Sequence, residues 1–167
     1  MSTMISPTGS PEQVASLLTA LSKAQDDYYA CDTLLGDLCS LEAVSSKVAS
    51  LQALGLDAQA SAALSDVSAI FTGLQQLSAR LKTHWYDAEM TYATAKTGIQ
   101  PGDGVAYVCR RLGRRHTIRV ERADVSSVSG NVTFYGTNIL RSGQLGKGSG
   151  HLSPDIDTIT SIERRSA

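Results

Sequence analysis

Residues 64–98 read LSDVSAIFTGLQQLSARLKTHWYDAEMTYATAKTG, and two series of positions seven residues apart run through this stretch. One series is Leu64, Phe71, Ser78, Trp85 and Tyr92, and the other is Val67, Leu74, Leu81, Ala88 and Ala95. This spacing is typical of the a and d positions of a coiled coil. We therefore predict a helix from about Ala58 to Thr97, which Gly98 ends.

A second long helix is predicted upstream of this stretch. Ser10 offers a capping oxygen, Pro11 has a fixed φ suited to the first helical position, and Gln13 completes a capping box. From Val14 to Leu51, apolar residues recur every three or four positions, as an amphipathic helix requires. The sequence LGLD at residues 54–57 combines a glycine that can end one helix with an aspartate that can cap the next. A link this short predicts an antiparallel helical hairpin.

After residue 104 the apolar period changes to two, which indicates β-strands. Strands are predicted at residues 105–110, 116–122, 132–135, 137–140 and 156–162. The glycine-rich residues 142–150 are predicted to form a flexible surface loop. Five short strands within so few residues are typical of a small barrel or sandwich.

The sequence therefore predicts an α+β protein in three parts. Residues 1–9 form a disordered lead, and residues 10–98 form a long antiparallel α-helical hairpin of coiled-coil type. Residues 99–167 form a small C-terminal β-barrel or sandwich, SH3-like or OB-like. Residues 1–98 contain five basic and ten acidic side chains, a net charge of −5, whereas residues 99–167 contain ten and six, a net charge of +4. Opposed charges of this kind favour two binding surfaces, or association of one copy with another.

Three aromatic residues in the first heptad series are candidates for a protein contact. Phe71, Trp85 and Tyr92 are bulky for the thin seam between two helices. We expect this face to pack on the β module, on another copy of the chain, or on a different protein. Self-association into a homo-oligomer is the form of partnership that we expect first.

A second candidate surface is the basic hairpin, residues 110–122. Five arginines lie within a span of ten residues in this hairpin: Arg110, Arg111, Arg114, Arg115 and Arg119. Guanidinium groups bind phosphates with two hydrogen bonds, so the hairpin could follow a nucleic-acid backbone. Tyr107, Phe134 and Tyr135 would offer stacking faces to bases if they were exposed on the same sheet. The alternative is that the arginines contact water, or the acidic helices of a neighbouring copy.

No pattern in the sequence indicates catalysis. His84, His116 and His151 lack metal-ligand spacing, and no serine lies in a G-x-S-x-G setting. The residue after Lys147 is a glycine, whereas a phosphate-binding P-loop requires Ser or Thr there. We therefore expect no catalytic residue, no cofactor, no metal site and no enzymatic activity.

The sequence also predicts where the protein acts. Its first nine residues lack the basic and apolar regions of a secretory signal, and no apolar run reaches the ~20 residues of a membrane span. We expect a cytoplasmic location, or a viral particle assembled in the cytoplasm, without membrane contact. The leading hypothesis is a non-enzymatic structural or interaction protein of a larger assembly, including an accessory component of a phage-type virion. The alternative is a nucleic-acid-binding regulator that uses the basic hairpin.

Overall fold

The computed structural model describes residues 7–52 and 58–164, with side chains at all of these except 38, 40–52 and 58–68. The chain divides into two compact units. The helical unit is Lys23–Trp85, and the mixed unit combines Met1–Ser22 with Tyr86–Ala167. Both helices, α1 (Pro11–Gln52) and α2 (Ala58–Thr97), contribute to both units. The predicted link at residues 54–57 lies outside the described residues.

The start of α1 is capped as predicted, because the Ser10 hydroxyl accepts a hydrogen bond from the Gln13 amide at 3.2 Å. Just before it, the amides of Thr8 and Gly9 both donate to the carbonyl of Ala95, each at 3.0 Å. The disordered lead at residues 1–9 stays a prediction, since residues 1–6 lie outside the described part of the chain.

Helix α2 has the predicted bounds, and Gly98 ends it with a φ of 74°, a conformation that favours glycine. Between residues 69 and 88, the members of the two heptad series are buried or half-buried and every other residue is exposed. Within the helical unit, the Tyr28 ring stacks on Trp85, and the Cys31 thiol lies 3.9 Å from the Leu74 carbonyl. From the first contact to the second, the residue number rises in α1, from 28 to 31, and falls in α2, from 85 to 74.

The C-terminal part of the mixed unit is a five-stranded antiparallel sheet. Its strands are β1 (Gly104–Cys109), β2 (Arg114–Val125), β3 (Val132–Ile139), β4 (Leu145–Leu152) and β5 (Thr158–Glu163). They lie in the order β4-β3-β2-β1-β5. The prediction of a barrel is wrong, because a barrel needs its two outermost strands to be paired. Here β4 pairs with β3 and β5 pairs with β1, so the sheet stays open.

The predicted flexible loop at residues 142–150 is also wrong, because β4 occupies residues 145–152. Its glycines, Gly146, Gly148 and Gly150, are two residues apart and therefore share one face of the strand. A Cβ on Gly150 would lie 2.5 Å from Oδ1 of Asn138 in β3. Glycine there gives the Asn138 side chain room to lie across β4.

The predicted strands at residues 132–135 and 137–140 are a single strand. Strand β3 runs continuously through Gly136, which pairs with Val120 on one side and Gly150 on the other. A Cβ on Gly136 would lie only 1.8 Å from the Arg119 carbonyl oxygen, so the close approach of β2 requires glycine. Gly136, which lies between the two predicted strands, is therefore a point of close strand contact.

One face of the sheet forms most of the core of the mixed unit. Its most deeply buried strand residues are Val105, Ile118, Val120, Val132, Phe134 and Leu152. Just before the sheet, the buried carboxylate of Asp103 accepts hydrogen bonds from the Gln100 amide at 2.9 Å and from Arg164 at 2.6 Å. These bonds satisfy a charge that would otherwise be costly to bury.

Candidate functional site

The structure divides the arginines of the basic hairpin between two faces and a turn. Arg110 and Arg111 lie in the turn between β1 and β2, and the other three lie in β2. Successive side chains of a strand point to opposite faces, so Arg115 and Arg119 share a face that Arg114 does not. All five side chains are exposed. The five therefore do not form one continuous patch.

Arg115 shares a recess with Arg141, an arginine outside the hairpin that the sequence gave no reason to select. Arg115 and Arg141 line one recess of about 770 Å³, at the end of the sheet where β3 meets the turn into β4. We call it the arginine recess, and its lining residues are Arg115, His116, Thr117, Asn138, Ile139, Leu140, Arg141 and Gly143. None of these side chains is acidic. Neither guanidinium group forms an ion pair or hydrogen bond with another described residue.

The recess exists because β2 extends beyond its pairing with β3. The last register pair between these strands is Ile118 with Asn138. Residues 114–117 of β2 pair with β1 on one edge, and no described strand pairs with their other edge. The sequence indicates both strands but not the register between them, and it therefore gives no sign that Arg141 shares a recess with Arg115.

His116, which also lines the recess, has a buried nitrogen atom, Nε2, without a hydrogen-bond partner among the described residues. The imidazole stacks on the ring of Tyr107 with centroids 5.7 Å apart. The Tyr107 hydroxyl donates to the carbonyl of His151 at 2.6 Å, and burial, together with nearby Asp157 and Cys109, raises the pKa of Tyr107 to about 12. Tyr107 therefore stays a neutral donor that holds the imidazole in place.

The aromatic residues proposed as stacking faces for bases do not meet on one exposed surface. Phe134 and Tyr107 are buried at 0% and 3% exposure. Tyr135 is half-buried, and the Arg122 guanidinium lies 4.1 Å from its ring centroid. This cation–π contact already occupies one face of the ring.

The three aromatic candidates in α2 are packed within the chain. Phe71 is 9% exposed, and the buried Tyr92 hydroxyl donates to the Gly130 carbonyl at 3.2 Å. The Trp85 ring contacts Tyr28 and Tyr29, with centroids 5.4 and 5.6 Å apart. Tyr28 belongs to the apolar pattern predicted for α1, whereas Tyr29 lies outside that pattern. Whether the three aromatic residues also contact a partner stays a prediction.

Other large apolar side chains of the helical unit are exposed instead. Ile70 and Leu77 are 56% and 45% exposed and lie seven residues apart on α2. On α1, Tyr29 and Leu34 are 50% and 54% exposed. Ile70 and Leu77 directly precede Phe71 and Ser78, so they border the half-buried seam on one side.

Besides Asp103, the described part of the mixed unit buries a second acidic side chain, that of Glu89. Glu89 of α2 is 3% exposed, and its carboxylate accepts a hydrogen bond from the Val125 amide at 3.1 Å. Burial raises the pKa of Glu89 to about 7, and the nearby Asp124 adds to this effect while Arg122 opposes it. Close by, the Lys96 ammonium donates to the Gly130 carbonyl at 2.7 Å. These contacts join α2 to the last residue of β2 and to the loop between β2 and β3.

The cysteines are all free, and Cys39 is exposed whereas Cys31 is buried. Nowhere in the described part of the chain do three His, Cys, Asp or Glu side chains gather closely enough to hold a metal ion. Within residues 7–52 and 58–164, neither helix has a segment long and apolar enough to cross a membrane. No protein-family model, no curated protein and no solved structure matches the chain.

Proposed function

We propose that this chain is a non-enzymatic interaction protein that acts within a larger assembly, and that its helical unit supplies the contact surface. The observation that carries the proposal is the exposure of Ile70 and Leu77 beside the heptad seam. Large apolar side chains repeated along one helix face are typical of surfaces that pack against further helices. A structural or accessory role in a viral particle is one form of this proposal.

In this proposal, α1 and α2 form an antiparallel hairpin of coiled-coil type. The opposite direction of the Tyr28–Trp85 and Cys31–Leu74 contacts supports that arrangement. Two helices alone enclose little interior, and two hairpins packed together form a four-helix bundle with a proper core. A second copy of the chain is therefore the partner that we propose.

The distribution of charge supports contacts between copies as well. The helical unit contains four basic and seven acidic side chains, and the rest of the chain contains eleven and nine. The acidic unit of one copy would attract the basic unit of another, and salt would weaken that attraction.

The proposal is tested by exchanging the two exposed apolar side chains of α2 for polar ones. Ile70→Gln combined with Leu77→Gln should lower the mass of the particle in sedimentation equilibrium to that of one chain, 17.7 kDa. The matched control is Gln76→Ala combined with Thr83→Ala, a pair that is also exposed and seven residues apart on α2. A double Gln variant with the mass of the unaltered protein would overturn the proposal.

The basic hairpin supports a second proposal, a nucleic-acid-binding regulator. The supporting observation is that five exposed arginines lie along the turn and β2. Binding through phosphates should weaken steeply as salt is raised. Arg114→Ala combined with Arg115→Ala should reduce the affinity for a nucleic acid, and an unchanged affinity in that variant would refute this second proposal.

A further inference from the structure

We propose that the arginine recess binds a phosphate group of a nucleotide, either free or within a single strand. Arg115 approaches from β2 and Arg141 from the turn after β3, so two guanidinium groups lie at the same recess from separate elements. Guanidinium groups bind phosphate oxygens in pairs of hydrogen bonds, and neither of these is engaged by another described residue.

The other polar groups of the recess suit an anion as well. Thr117 follows Arg115 by two residues and shares its face of β2, and its hydroxyl can donate a hydrogen bond. Asn138 also lines the recess, and its amide donates to the Ser149 carbonyl at 3.2 Å. No carboxylate lines the recess, so nothing there repels a phosphate or favours a cation. The charges of the lining therefore favour an anion over a cation.

Size and apolar walls indicate that the ligand is larger than inorganic phosphate. A volume of about 770 Å³ falls in the range of small-molecule sites. Ile139 and Leu140 add apolar surface beside the arginines. A nucleotide combines both requirements, since its phosphate would meet the guanidinium groups and its base or sugar would contact these apolar side chains.

The proposal goes beyond the assembly function and refines the site of the nucleic-acid proposal. Its test uses the full chain and three probes: inorganic phosphate, adenosine 5′-monophosphate and a single-stranded oligonucleotide of about 20 nucleotides. Binding is measured by calorimetry. We expect Arg115→Gln and Arg141→Gln each to weaken binding at least about tenfold. The control Arg111→Gln alters an exposed arginine of the turn, outside the recess, and should change affinity less than about twofold.

The outcomes separate the sources of phosphate. Binding of the mononucleotide that depends on Arg141 supports a free nucleotide, whereas binding of the oligonucleotide alone with the same dependence supports a phosphate within a strand. Affinity that falls equally in all three variants would show that phosphate binds to a general basic surface, and it would overturn the proposed site in the recess. Failure of every probe to bind would overturn it too, and it would leave the mass measurement of the assembly proposal unaffected.

Discussion

The ring of Tyr28 in α1 stacks on Trp85 in α2, with centroids 5.4 Å apart and planes inclined by 27°. This pair, with Tyr29 against the same indole, joins the two helices of the helical unit. A Trp in the seam therefore already has partners within its own chain. The surface left for a second chain is the neighbouring one that carries Ile70 and Leu77.

Trp85→Ala should destabilise the helical unit by about 2–3 kcal/mol, because it removes a half-buried indole and its stacking contacts. Chemical denaturation followed by circular dichroism measures this loss. Trp85→Phe is the matched control, since it keeps an aromatic ring against Tyr28 and should lose less than half as much. Equal stability of the Ala variant and the unaltered protein would mean that the stacked pair does not hold the helices.

Gly150→Ala should lower the free energy of unfolding by about 1–3 kcal/mol, as overpacking of a core typically does. The added Cβ would lie 2.5 Å from Oδ1 of Asn138 and 2.7 Å from Cγ2 of Ile118, which is fully buried. At Gly148 the closest atom would be Nδ2 of Asn138 at 3.2 Å, so Gly148→Ala should cost less than about 1 kcal/mol. If the two variants melted at the same temperature, the assignment of residues 145–152 as a glycine-spaced strand would lose its main support.

Stability should fall as pH rises through the window in which Glu89 ionises. Burial raises the pKa of Glu89 from 4.5 to about 7, so the folded chain binds more protons than the unfolded chain between these values. The stability associated with this proton is complete below pH 4.5 and is lost above pH 7. The loss amounts to about 3 kcal/mol at most, since one pKa unit corresponds to about 1.4 kcal/mol.

Glu89→Gln isolates this effect, because the amide oxygen can still accept the Val125 hydrogen bond without a charge. Urea denaturation at pH 5 and pH 8 should show the variant more stable than the unaltered protein at pH 8 and similar to it at pH 5. A pH dependence that is the same in both proteins would assign it to other groups.

Tyr107→Phe should destabilise the mixed unit by about 1 kcal/mol, the usual contribution of one hydrogen bond. The lost bond joins Tyr107 in β1 to the His151 carbonyl in β4, two strands that are not neighbours in the sheet. The substitution should accelerate amide hydrogen exchange more in β4 than in β5, because β5 pairs directly with β1. Exchange that is unchanged in β4 would show that the bond does not restrain this edge.

Local signals in the sequence were sufficient to predict where α1 begins and where α2 ends. The hydroxyl of Ser10 and the conformation of Gly98 act on neighbouring residues, so the start of α1 and the end of α2 followed from composition and spacing. Between residues 69 and 88, the heptad spacing likewise predicted which residues of α2 would be buried or half-buried.

Contacts between distant residues could not be predicted in the same way. The glycines of β4 indicated a loop in the sequence. The side chain that requires glycine at residue 150 is that of Asn138, which lies on another strand. The arginine recess depends on the register that ends at Ile118 and Asn138, which brings Arg141 beside Arg115. A register of this kind depends on turns and bulges together, and here a bulge interrupts β2 between Val120 and Arg122.

Light scattering across a concentration series, at low and at high salt, tests the central proposal of self-association most directly. We predict that at low salt the mass rises above the 17.7 kDa of one chain to a fixed multiple of it, and that high salt shifts this transition to higher concentration. A mass of one chain at every concentration and in both salts would contradict the proposal.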